Sequence, residues 1–153
     1  MFAIRPAVPD DAPVMHAIQM RAFAEEGRLC GNTQIPPLTE TPADIEIHIR
    51  TQTALVVLYE GSIVGAARGI VESGVCTLRG ICVEPASHGQ GIGSALLRAV
   101  ERAVRSARRF ELTTNTRVTG NVRFYERRGY VVDALSQYAQ GVVLAHMSKH
   151  GGG

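Results

Sequence analysis

The sequence predicts an α/β fold: a mixed sheet, α+β in its segment order, with helices on both faces. Strand-like and helix-like segments interleave in the order β-α-α-β-β-β-α-β-α-β-β, with no internal repeat and no low-complexity stretch. Between Thr53 and Val83, three runs rich in β-formers are separated only by the turns Glu60-Gly61-Ser62 and Ser73-Gly74, which reads as a meander. A hydrophobic content of 45% over 153 residues supplies one core, so residues 1–150 are expected to form a single domain, with 151–153 as a flexible glycine end.

Each element has a local reason. Phe2-Ala3-Ile4-Arg5 alternates and predicts a short first strand. Pro9-Asp10-Asp11-Ala12 supplies a cap and an acidic first turn, and Val14, Met15, Ile18 and Ala22 form a helical stripe through about Phe23. Glu25 to Pro37 holds glycines, Asn32 and two prolines and reads as a loop. Thr41 caps a second helix with Pro42 at its first position, carrying Ile45 and Ile49. Strands are expected at Thr53–Tyr59, Ile63–Val71 and Val75–Val83. A helix over Gly91–Ala107 buries Ile92, Leu96, Ala99, Val100 and Val104, and its arginines lie mostly off that stripe. Phe110–Thr114 is a strand. Thr119 is expected to cap a helix that ends at Gly129, and Tyr130–Ala134 and Val142–Met147 are the last strands.

Composition narrows the function. A formal charge of +2 gives no basis for a nucleic-acid or membrane partner. No run is long and apolar enough for a signal peptide or a membrane helix, so a soluble cytoplasmic protein is expected. Cys30, Cys76 and Cys82 make an odd count without metal spacing and read as free thiols, Cys76 and Cys82 as core. His16, His48 and His146 are scattered, and no metal site is expected.

The informative motif is Ile81-Cys82-Val83-Glu84-Pro85 followed by His88-Gly89-Gln90-Gly91-Ile92-Gly93-Ser94. A strand ends, a glycine-rich loop follows, and a helix opens at once. Bare amides at the positive end of a helix dipole form a diphosphate site, and glycines let the anion approach where a Cβ would clash. The spacing Gly89-x-Gly91-x-Gly93 is neither a nucleotide-hydrolase P-loop nor Gly-x-Gly-x-x-Gly. A second segment, Asn121-Val122-Arg123-Phe124-Tyr125-Glu126-Arg127-Arg128-Gly129-Tyr130, puts Asn121 and Tyr125 on one helix face.

These two motifs and the element order resemble the GNAT superfamily of N-acyltransferases over nearly the whole chain. The family's diphosphate loop reads Arg/Gln-x-x-Gly-x-Gly/Ala; here His88 stands at the first position and Gly91 and Gly93 match. The resemblance implies a sheet splayed between Val75–Val83 and Phe110–Thr114, acetyl-CoA as donor, and a loop of His88, Gly89, Gln90, Gly91, Ile92, Gly93 and Ser94 on its diphosphate. It also implies Asn121, Phe124 and Tyr125 beside the pantetheine arm, Ile81, Cys82 and Val83 as cofactor-binding, and main-chain amides around Cys82 and Val83 as donors to the thioester carbonyl. Phe124 also reads as a core aromatic, and Tyr125 is the expected general acid.

The implied activity is N-acetylation of a primary amine, with a small metabolite as acceptor and direct attack in a ternary complex. A non-catalytic acyl-CoA sensing module, or an acetyltransferase acting on a protein or a tRNA-borne amine, is the alternative. Some relatives carry a glutamate base on the fourth strand where this chain has Arg79, so the base stays open between Glu72, another group and water. Arg79 and Arg68 suggest an acceptor with an acidic group, or else pair with surface carboxylates. His48 lies in a region that lines the acceptor pocket in the family. Which arginine meets the cofactor's 3′-phosphate stays open. A homodimer through the apolar Val142–Ala145 run is a further expectation.

Overall fold

A computed structural model describes residues 1–151. Seven strands form one sheet: β1 (Phe2–Pro6), β2 (Thr53–Tyr59), β3 (Ser62–Glu72), β4 (Val75–Val83), β5 (Arg109–Asn115), β6 (Val131–Ala139) and β7 (Val142–His150). Their order across the sheet is β1-β2-β3-β4-β5-β7-β6, with β4 and β5 parallel and the other pairs antiparallel. The helices are α1 (Ala12–Cys30), α2 (Pro36–Thr39), α3 (Pro42–Thr51), α4 (Ile92–Ala103) and α5 (Asn121–Glu126).

The strand period of two divides the core. On β2, Leu55 and Val57 pack with Leu96 and Val100 of α4, while Ala54 and Val56 pack with Met15 and Ile18 of α1 and Ile45 of α3. Both faces of β2 are therefore covered, and its apolar run needs no polar alternation. Burial of each such Leu, Ile or Val side chain is worth about 1.5–3 kcal/mol. Tyr130 donates from its hydroxyl to Glu101 at 2.7 Å and Lys149 binds the same carboxylate, tying α4 to the β6–β7 hairpin.

Several boundaries differ from the expectations. The stretch from Glu25 is not all loop: α1 continues to Cys30 and ends on Gly31 in the left-handed region, φ 61°. Gly27 stays helical because the Leu38 side chain fills the space where a Cβ would stand, 2.7 Å away, so its weak propensity is offset by close packing. Pro36 then starts the single turn of α2. Thr41 does cap α3: its hydroxyl accepts from the Asp44 amide at 3.2 Å and the Asp44 carboxylate accepts from the Thr41 amide at 2.9 Å. Helix α4 spans less than expected, because Val104 leaves helical geometry. Gly120 rather than Thr119 stands at the start of α5. The Val142–Ala145 run is interior to the sheet, Val142 and Ala145 being 0% exposed, and the edge strand on that side is β6 instead. The amide of Gly151 donates to the Arg108 carbonyl at 2.8 Å, while the expectation for 152–153 lies outside the described residues.

The sheet opens as the resemblance implied. Strands β4 and β5 pair only through Val75–Arg109, Cys76–Phe110 and Thr77–Glu111 and then part. A bulge in β4 sits beside the parting point, where the β3 register jumps between Ala66–Cys82 and Arg68–Arg79. Gly80 lies within it at φ 65°, and a Cβ there would stand 2.1 Å from an Arg68 guanidinium nitrogen. Only glycine fits, because the Arg68 side chain passes directly beneath.

Candidate active site

The gap between β4 and β5 leads into a cavity of ≈ 840 Å³. Its walls come from α1 (Phe23, Glu26), β4 (Arg79 to Val83), the following loop (His88, Gly89, Gly91), α4 (Ile92, Gly93, Ser94), β5 (Leu112 to Asn115) and α5 (Asn121, Phe124, Tyr125). The two sequence motifs, some thirty residues apart, thus meet across one space. Gln90 is the loop member that does not line it.

The loop is shaped for an anion. His88 places its Nε2 3.1 Å from the Val83 carbonyl and closes the loop onto the strand end. Gly91, at φ 77°, begins α4, and nothing lies within 4 Å of where its Cβ would be. The first amides of α4 therefore stay bare. Two guanidiniums converge there: Arg98 and Arg128 both donate to the Ser94 hydroxyl, at 2.9 and 3.1 Å. Neither has a carboxylate partner among the described residues. Arg128 also stacks over the Phe124 ring at 3.8 Å.

Strand geometry separates the main-chain donors. The Glu84 amide binds the Val64 carbonyl at 2.7 Å, so it faces β3. Alternation along the strand turns the Val83 amide the other way, into the gap, and the Cys82 amide toward β3. Burial pushes the Cys76 thiol up to about 11 and the Cys82 thiol up to about 12, so neither is a thiolate at neutral pH.

Tyr125 stands edge-on to Phe124 and Tyr130, with ring centroids 5.1 and 5.9 Å away. Burial, aided by the negative charge of Glu26 and opposed by Arg128, pushes its hydroxyl up to about 12. Glu26 was not among the residues singled out from sequence. Burial raises its carboxyl above the ordinary range, and the hydrogen bond from the Asn115 amide, at 3.2 Å, pulls part of the way back. The missed signal is periodic: Glu26 follows Ala22 by four and continues the apolar stripe of α1. An acid on that stripe had to meet something inside.

Of the other residues named from sequence, all but Arg79 lie elsewhere. Arg68 is 1% exposed and its guanidinium is filled: Nη1 and Nη2 donate to Glu40 at 2.9 and 2.8 Å, and Nη2 donates to Gln19 at 2.9 Å. His48 Nδ1 sits 2.7 Å from Arg68 Nη1. Burial and then the Arg68 charge lower its pKa, so the neutral ring accepts from Arg68. Arg68, buried, and His48, partly exposed, thus form a structural cluster outside the cavity lining, not an open contact for an acceptor in the cavity. Glu72 pairs with Val75 at the end of β4 remote from the loop, is exposed, and does not line the cavity. Arg79 does line it, with its Nε–H donating to Glu40 at 3.0 Å.

A family model described as acetyltransferase (GNAT) domain matches residues 25–150. No curated protein matches by sequence. Among solved structures, the chain is similar to an acetyltransferase of the GNAT family from Streptococcus pneumoniae, with 21% identity, coverage of 99% of this chain and 100% of that one, and TM-score 0.77. It is similar to the ribosomal-protein-S18-alanine N-acetyltransferase of Escherichia coli, with 17% identity, coverage of 98% and 94%, and TM-score 0.80. It is also similar to the PaiA N-acetyltransferase of Thermoplasma acidophilum in complex with coenzyme A, with 13% identity, coverage of 98% and 99%, and TM-score 0.78.

Proposed function

This chain belongs to the GNAT acetyltransferase family, and on that premise we propose that it transfers an acetyl group from acetyl-CoA to the primary amine of a small metabolite, by direct attack in a ternary complex. The observation that carries this reading is the continuity of one cavity from the glycine loop at Gly91 to Tyr125. The donor fits the residues present. Its diphosphate would lie on the amides of Gly91 to Ser94, with Arg98 and Arg128 in reach of its charge. Asn121 and Phe124 would flank the arm.

Acetyl-CoA supplies an activated thioester. A C–N bond forms, the C–S bond breaks with its electron pair going to sulfur, and one proton is released per turnover from an ammonium acceptor. The chain's part is to orient, to polarise and to move protons. The Val83 amide, turned into the gap, is the donor to the carbonyl oxygen as charge builds there. Glu26 takes a proton from the acceptor ammonium, its raised pKa making it a stronger base than an exposed glutamate. Tyr125 stays protonated at neutral pH and hydrogen-bonds the departing sulfur. A hydroxyl near 12 facing a thiol of ~8.5 does not give up its proton fully, so it acts as a donor and solvent completes the protonation. The raised Cys76 and Cys82 thiols speak against a covalent acyl-enzyme.

Thiol release from acetyl-CoA with a panel of amines tests the reading. Tyr125→Phe should lower kcat by about 10²–10⁴-fold with little change in the KM for acetyl-CoA. Undiminished turnover would remove the hydroxyl from the mechanism. Gly91→Val should weaken acetyl-CoA binding by at least about tenfold in calorimetry. A β-branched residue is strained by about 1–2 kcal/mol in the left-handed region, and its side chain would cover the amides. An unchanged Kd would contradict the placement of the diphosphate.

A further inference from the structure

The charges on the cavity wall do not balance, and the imbalance has a direction. Two guanidiniums, Arg68 and Arg79, share the single carboxylate of Glu40. Arg68 is buried, with both of its terminal nitrogens bonded. Arg79 commits only its Nε–H, keeps 48% of its side chain exposed, and its two terminal nitrogens have no partner among the described residues. Most other carboxylates on the wall are already answered: Glu111 and Asp133 by Arg109, Glu25 by Arg28. Glu26 is the exception. Its hydrogen bond comes from the neutral Asn115 amide, and no cation pairs with it among the described residues.

Arg79 lies on β4. Glu26 lies against Asn115 of β5, on the other side of the splay. Apart from Arg128, whose guanidinium sits on Ser94 beside the glycine loop, the wall therefore offers one unanswered positive edge and one unanswered carboxylate, separated by the opening.

We propose that the acceptor is a small amino acid whose carboxylate docks on the outer nitrogens of Arg79 while its ammonium faces Glu26. This deepens the acetyltransferase reading and rests on it. A carboxylate suits the site better than a phosphate, because two arginines against one glutamate leave a single positive charge to neutralise. The planar fork of a guanidinium also presents two parallel N–H groups to a carboxylate. Glu40 helps by holding the Nε side of Arg79, which turns the free edge outward.

The test is steady-state thiol release from acetyl-CoA with α-amino acids, each assayed beside its carboxamide and its decarboxylated amine. The acids should be preferred by about 10- to 100-fold in kcat/KM, the worth of a charge-assisted pair. Arg79→Ala should erase that preference by raising KM for the acids far more than for the carboxamides, and Arg79→Lys should restore part of it. Equal turnover of acids and carboxamides by the native chain, or a preference that survives Arg79→Ala, overturns the acceptor assignment and leaves the transferase reading standing. Thermal stabilisation by acetyl-CoA without turnover of any amine sinks both. The native comparison decides the matter even if the Arg79 variants do not fold.

Discussion

Glu40→Ala is expected to destabilise the protein by about 3–5 kcal/mol, the range for removing one partner of a buried ion pair. The carboxylate is 8% exposed and accepts from Arg68 twice, from Gln19 at 2.8 Å and from Arg79 at 3.0 Å. Without it, Arg68 remains buried beneath Gly80 with only neutral Gln19 and His48 as partners. The loss should also reach the site, since Glu40 pins the segment between α2 and α3 to the sheet and holds Arg79 in place.

The same carboxylate sets an acid limit on stability. Burial alone would raise its pKa; hydrogen bonds from Arg68 and Gln19, with the charges of Arg68 and Arg79, prevail and bring it down to about 2 from 4.5. A depressed folded-state pKa means that the unfolded chain binds the proton first. The contribution of about 3 kcal/mol is therefore complete above pH 4.5 and is lost as the pH falls toward 2. Urea denaturation of the native chain and of Glu40→Gln at pH 7 and pH 3 measures it. The native chain should lose more stability between the two pH values than the variant. A Glu40→Ala cost below about 1 kcal/mol, or parallel pH curves, would show that the cluster is not the anchor described.

The parts legible in sequence were those with a local cause. The turns after Tyr59 and Glu72 punctuate the meander, Thr41 and Asp44 form a capping box, and the glycines at 89, 91 and 93 interrupt every regular alternative. Element order and these motifs carried the family resemblance, and it was the resemblance that implied the splayed sheet. Glu40 and Gln19 were invisible because each acts through a partner more than twenty residues away, 28 in the case of Glu40 and Arg68. Arg68 and Arg79 look alike as strand arginines and stand opposite each other, but Arg68 lies on interior β3 beneath Gly80 while Arg79 stands on β4 at the opening. The end of α1 was misplaced because Gly27 reads as a breaker, yet it is the contact with Leu38 that keeps it helical. That error hid Glu26, which lies in the extra turns.

Glu26→Gln carries an expected effect on rate as large as that of Tyr125→Phe, about 10²–10⁴-fold in kcat. Glutamine keeps the shape and can still accept from Asn115, so the substitution removes charge and basicity and little else. The pH profile separates catalysis from packing. With its pKa raised by burial, the Glu26 carboxylate of the native enzyme is lost on acidification at a pH above that of an exposed glutamate, so kcat should fall on that acid limb. In Glu26→Gln that limb should vanish from kcat, leaving a low rate that tracks the free amine alone. The Tyr125 hydroxyl should respond as well. Glu26 is among the causes that raise it, so its pKa should fall below about 12 in the variant, readable by ultraviolet titration of the phenolate. A normal rate in Glu26→Gln would hand the base role to solvent. A slow rate with the native acid limb intact would mean that Glu26 positions the acceptor without taking its proton.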